Sequence, residues 1–215
     1  GEGGGGQGGG ERGSLISRMT SFKTEVPAHD HSLILARPTR TSMTVSVSAA
    51  TERTGSIEFW RDGEATHRTT PEQPMKPGVA ASFVLDGLQP DSAYRYRFRW
   101  RASPGAAVQQ GEEQSFDSVR SPGKEFTFAL PADSHLDQGV TLECYRRTLE
   151  NMREEKADFL VDLGDTFMTD KRGSEWKRTE AQYDAQRYWF GVACREMPLF
   201  MVLGNHDGER GLSGG

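Results

Sequence analysis

The chain has 215 residues, enough for one or two domains at roughly 100–200 residues each. Hydrophobic residues make up 34% and charged residues 27%, and no apolar run approaches the ~20 residues of a membrane-spanning helix. A net charge of -5 argues against nonspecific nucleic-acid binding. Two cysteines, Cys144 and Cys194, make neither a disulfide framework nor a zinc knuckle.

The first stretch is a tail. Nine of the 25 glycines fall in residues 1–13, GEGGGGQGGGERG. Such a segment cannot bury enough apolar surface to repay its ordering entropy, so residues 1–30 are expected to be flexible. Short strands follow: Ser32–Arg37, Ser42–Ala49, Ser56–Trp60, Ala81–Leu85 and Tyr94–Arg101. Asp62-Gly63 is a hairpin signal. Several short strands at this spacing predict an antiparallel β-sandwich over 31–122. The run Tyr94–Arg101, YRYRFRWR, alternates aromatics with arginines. In a strand that alternation sends the rings to one face and the guanidinium groups to the other. A nucleic-acid stacking platform needs both on one open face, so the run reads as a sandwich strand.

From Lys124 the pattern changes. Glu125–Leu130, Asp158–Leu163 and Pro198–Leu203 read as strands. Between them, Thr141–Lys156 carries Leu142, Tyr145, Leu149 and Met152 at helical spacing, and Ala181–Arg195 carries Tyr183, Tyr188, Phe190 and Val192. Strand, helix, strand, helix, strand predicts a βαβαβ unit with a parallel sheet over 123–215. The near-continuous apolar strands suggest burial on both faces. Cys144 and Cys194 fall on the two helices and read as packing residues. The fold class expected is thus an all-β sandwich followed by an α/β domain. Residues 124–215 carry 12 basic and 17 acidic groups, which fits either a cation site or a solvated acidic surface.

Polar clusters follow each of the three later strands: Asp133-Ser134-His135, Gly164-Asp165 and Gly204-Asn205-His206-Asp207. A parallel sheet puts all three at its carboxyl edge, where open α/β folds place ligands. Asp133, His135, Asp165, Asn205 and His206 should therefore converge. Carboxylates, an amide carbonyl and imidazoles form a metal-ligand set for Mn, Fe or Zn. Each cluster alone has a bland reading as turn chemistry; three at successive strand ends are much harder to explain that way. Asp137 reads as turn chemistry. Asp162, inside an apolar strand, is either a support for the ligands or a hydrogen-bonded structural group.

Two resemblances rest on these residues. Leu88-Gln89-Pro90-Asp91-Ser92-Ala93-Tyr94 resembles the corner of fibronectin type III domains, in which the Tyr hydroxyl bonds back to the backbone. The ordered motifs D-x-H, G-D and G-N-H-D over 126–210 resemble those of calcineurin-like metallophosphoesterases. With a sandwich ahead of them, the arrangement resembles purple acid phosphatases and their bacterial relatives. That resemblance implies two divalent or mixed-valence metal ions. Asp133 and His135 would hold the first, Asp165 would bridge both, and Asn205 would hold the second. His206 would contact the phosphate and protonate or stabilise the leaving oxygen. It also implies a phosphate-ester substrate and a secreted or periplasmic location.

The match has departures. Met168 stands where purple acid phosphatases carry a Tyr iron ligand, and His135 stands where they lack a histidine, so no iron–tyrosinate colour is expected. The family takes further His ligands from later sequence, whereas the remaining histidines here are His29, His31 and His67. A C-terminally incomplete enzyme, silent on its own and with one face of its parallel strands uncovered, is therefore expected. Alternatives are a noncatalytic adhesion or binding protein, and a nucleotidase or phosphodiesterase whose substrate choice depends on Thr169–Trp176 and on sequence not included here.

Overall fold

The computed structural model describes residues 25–136, 140–168 and 179–207. The glycine-rich segment 1–24, Asp137, the substrate loop proposed at Thr169–Trp176 and residues 208–215 lie outside these. The sandwich pairs β1 (His31–Ala36), β2 (Ser42–Ala49) and β6 (Ala81–Asp86) in one antiparallel sheet. The other holds β4 (Arg68–Thr69), β3 (Arg53–Arg61), β7 (Ala93–Arg101) and β8 (Gln109–Gln110). In addition, β5 (Gln73–Met75) pairs with β3 and β9 (Gln114–Asp117) with β7. Period-2 patterning accounts for the core: Leu33, Leu35, Val45, Val47, Ile57, Phe83, Leu85, Tyr96 and Phe98 point into it.

The YRYRFRWR strand divides as its alternation predicts. Tyr94, Tyr96 and Phe98 are buried and Trp100 packs against the same core. On the other face, Arg95 pairs with Asp62 and Glu113, Arg97 with Glu58, and Arg101 with Glu72. The guanidinium groups are thus neutralised within the sheet. At the corner, the Gln89 N–H donates to the Tyr94 hydroxyl oxygen at 2.8 Å. Residues 25–30, placed in the tail by composition, make contacts of their own. Val26 packs on the second core, Asp30 makes a two-point ion pair with Arg53, and the His29 ring lies 4.7 Å from Tyr188.

The second unit holds β10 (Phe128–Ala129), α1 (Leu142–Glu154), β11 (Phe159–Asp162), α2 (Thr179–Cys194) and β12 (Leu199–Met201). Both strand pairs are parallel, in the order β10-β11-β12. Tyr145 and Leu149 on α1 and Ala185, Trp189, Phe190, Ala193 and Cys194 on α2 form one core with Leu160. Trp189 is the anchor that the sequence reading of α2 passed over, whereas its candidate Tyr183 is exposed. Cys194 is buried but Cys144 faces water, so only one of the two packs; no disulfide joins them.

Of the two expectations for this sheet, the uncovered face is the one observed. Among the described residues the helices cover one face. The other carries Phe126, Phe128, Leu130 and Phe200, all exposed, with Phe128 and Phe159 stacked at 5.4 Å. The two units share a strand: Leu33 and Leu35 face the sandwich core, while Ile34 between them enters the α/β core. The Tyr96 hydroxyl donates to the Arg195 carbonyl at 2.6 Å, and Arg187 on α2 donates to Ser46.

Candidate metal centre

The three parallel strands end at one edge, and the loops after them are stitched together by backbone hydrogen bonds. Asp133 N–H donates to the Gly164 carbonyl, His135 N–H to Asp165, and Leu136 N–H to Thr166, at 3.1, 3.1 and 2.8 Å. This ladder lays the loop after β10 alongside the loop after β11. Asp133, Gly164, Asp165 and His135 all take positive φ, at 54°, 88°, 56° and 42°. Three non-glycine residues in the left-handed region are a local concentration of backbone strain of the kind found at functional sites.

The strain has a product. One carboxylate oxygen from each of Asp133 and Asp165 and one ring nitrogen of His135 lie within 4.8 Å of one another. His135 Nε2 is 3.3 Å from Asp133 Oδ1, and His135 Nδ1 is buried with no hydrogen-bond partner. Asp165 is buried and Asp133 exposed. Two carboxylates and an imidazole converging without a counter-cation suit a divalent transition metal.

The third loop closes on the second. His206 N–H donates to Asp165 Oδ1 at 2.7 Å. Asp207 Oδ2 accepts both the Asp165 and Gly204 N–H groups at 2.8 Å. A side chain on either glycine would prevent this approach. A Cβ on Gly164 would sit 2.1 Å from the Gly204 nitrogen, and one on Gly204 would sit 2.4 Å from Asp165 Oδ1. The His206 ring lies edge-on to His135, with centroids 5.9 Å apart, and Asn205 is exposed in the same turn.

Two further carboxylates shape this geometry: Asp207, to which the sequence reading gave no role, and Asp162, which it left open between ligand support and structural group. Asp207 is a clasp, and its signal was its place directly after Gly-Asn-His. Asp162 is fully buried, its Oδ1 accepts the Gly164 N–H at 2.9 Å, and its Oδ2 has no partner. Burial, with the Asp207 charge nearby, pushes its carboxyl up to about 6.

Residues 126–215 match the family model described as calcineurin-like phosphoesterase. This part of the chain is similar to the calcineurin-like phosphoesterases. The whole fold is similar to that of the purple acid phosphatase PPD1 from yellow lupin (Lupinus luteus) seeds, with a TM-score of 0.64 at 15% identity. The likeness covers 81% of this chain and 35% of that one, so the chain spans about a third of the length of that protein. Partial likenesses include the sensor domain of the anti-sigma factor RsgI4 in Pseudobacteroides cellulosolvens, at 12% identity, TM-score 0.35, covering 43% of this chain and 76% of that one. Another is the third fibronectin III domain of human KIAA0343 protein, at 12% identity, TM-score 0.31, covering 47% of this chain and 94% of that one. No curated protein sequence matches the chain.

Proposed function

We propose that the chain carries the first half of a two-metal centre for hydrolysing phosphate esters. Asp133 and His135 would hold one cation, Asp165 would serve both cations, and Asn205 would contribute to the second site. The observation that carries this reading is the convergence of the Asp133, His135 and Asp165 donor atoms within 4.8 Å inside the family-matched segment. Cations bound there would supply positive charge to activate a water and to polarise the phosphoryl oxygens.

The chain's own residues do the positioning. Asp165 Oδ1 is oriented by the His206 N–H, and the Asp165 backbone is clasped by Asp207. The hydrogen bond from His206 N–H also places its imidazole beside the ligand cluster. An imidazole exchanges protons near neutrality, so His206 is the group assigned to protonate the leaving oxygen. The ester class is set by residues other than these ligands. The proposed setting is secreted or periplasmic, on the strength of the family resemblance; among the described residues no helix is long and apolar enough to cross a membrane.

The donor count predicts what these 215 residues do by themselves. Among the described residues the donors assigned to the second cation are Asp165 and Asn205, too few to hold it against repulsion from the first. The expected result is about one Mn²⁺ per chain by calorimetry, lost in Asp165→Asn, with little turnover of p-nitrophenyl phosphate. Absence of stoichiometric Mn²⁺ or Zn²⁺ binding would overturn the metal-centre reading. Efficient turnover by this chain would overturn the count of donors.

A further inference from the structure

Asp162 stands outside the motifs, three residues before the bridging candidate, at the end of β11. It is fully buried, yet among the described residues no cation partners it and one of its oxygens meets no donor. Tyr145 and Cys194 lie near enough for its charge to disfavour their ionised forms. A lone buried carboxyl group is expensive. A requirement for packing alone would be met by an apolar residue at this position, as at Leu160.

What the carboxyl does is specific. Its Oδ1 accepts the Gly164 N–H, while its own backbone carbonyl accepts the Val202 N–H of the third strand at 2.8 Å. Gly164 in turn gives its carbonyl to Asp133 N–H, the first rung of the ladder that continues through Asp165 to His135. Every residue in that ladder that offers a ligand atom has a positive φ. Left-handed backbone relaxes unless something over-determines it. The Gly164 peptide is the hinge of the arrangement, and Asp162 is the buried group that grips it.

We propose that Asp162 is a positioning residue for the metal centre: by fixing the Gly164 N–H it sets the turn that brings Asp133, His135 and Asp165 together. This rests on the metal-centre reading above and adds to it a residue that binds neither cation nor substrate. Outer partners of metal ligands typically control affinity by 10–100-fold.

The test uses the full chain and three variants. Asp162→Asn keeps a carbonyl oxygen for the Gly164 N–H; Asp162→Ala removes it. Leu149→Ala, on α1 and 1% exposed, destabilises the same core from a helix position outside the three loops. Mn²⁺ affinity should fall roughly 10–100-fold in Asp162→Ala, and by about 3-fold or less in Asp162→Asn and Leu149→Ala. Amide exchange without metal gives an independent readout. Asp162→Ala should speed exchange at Gly164, Asp133 and His135 about tenfold, and Leu149→Ala should not. Equal affinity losses in Asp162→Ala and Leu149→Ala would reduce Asp162 to a structural group, and an Asn variant as weak as the Ala variant would refute the hydrogen-bond argument. If the parent chain binds no Mn²⁺, the metal-centre reading fails, and the exchange data still decide whether Asp162 anchors the turn.

Discussion

Gly204→Ala tests whether the site depends on direct contact between the second and third loops. The new Cβ would start 2.4 Å from Asp165 Oδ1 and 2.6 Å from its Cγ, where real Cβ atoms stay beyond 3.0 Å. The loops must therefore part by roughly 0.6 Å or more. That stretches His206 N–H to Asp165 Oδ1 from 2.7 Å and Asp165 N–H to Asp207 Oδ2 from 2.8 Å, taking both past the ~3.2 Å reach of a good hydrogen bond. Each has a charged acceptor and is worth about 1.5–3 kcal/mol when well made. Both are partly exposed, so a joint loss of about 2–4 kcal/mol is expected. For a chain of this size that corresponds to a fall in Tm of roughly 5–10 °C. The control is Gly105→Ala, where φ is +81° but no atom lies within 4 Å of the new Cβ. It should cost about 1 kcal/mol, from backbone strain alone. Thermal unfolding and Mn²⁺ titration of the two variants separate contact from strain. If Gly204→Ala melts and binds metal like the parent chain, the close approach of the loops does not matter and the argument is wrong.

Four further outcomes are expected. Asp207→Asn should be mild, because one oxygen receives both amides and the amide side chain retains an oxygen; Asp207→Ala should cost about 2–4 kcal/mol in urea unfolding. Asp162 has a folded pKa of about 6, above its unfolded value of 3.8, so its penalty is absent below pH ~4 and complete above ~6. Asp162→Asn should thus gain up to ~3 kcal/mol relative to the parent between pH 4 and pH 7.5, and a pH-independent difference in Tm would contradict this. Tyr94→Phe should lose about 1–2 kcal/mol by stranding the Gln89 N–H, with Mn²⁺ affinity unchanged by calorimetry. The open sheet face should drive concentration-dependent association, and Phe128→Ser with Phe200→Ser should reduce it in sedimentation velocity.

Much of this was legible in the sequence, because the strongest signals are periodic. Alternation in Tyr94–Arg101 fixed which side chains are buried, and the Asp-x-His, Gly-Asp and Gly-Asn-His spacings pointed to one sheet edge. Short edge strands such as β4 and β8 carried no apolar pattern, since two residues pairing at a rim need none. Asp162 was ambiguous because an apolar strand cannot reveal which backbone group its single carboxylate will meet. Asp207 was passed over for a related reason: its role is to hold two peptide N–H groups, one of them 42 residues away. The strands themselves did not reveal the bare side of the sheet, because apolar strands look the same whether one face or both are covered; the missing later sequence pointed to it.

The strand β1 has a consequence for how this molecule can be taken apart. Its backbone passes so close to α2 that a Cβ on Gly191 would lie 3.3 Å from the Leu33 carbonyl oxygen. Its residues also divide their allegiance, Leu33 and Leu35 to one core and Ile34 to the other. The two units are therefore not beads on a string that a linker cut would free. A sandwich expressed alone would carry a greasy stripe at Ile34, and the remainder would lose the lid over Trp189 and Phe190. Grafting a different sandwich onto this α/β unit would require recutting the helix face along with it. The sandwich behaves as a fitted part of the chassis on which the three convergent loops are mounted.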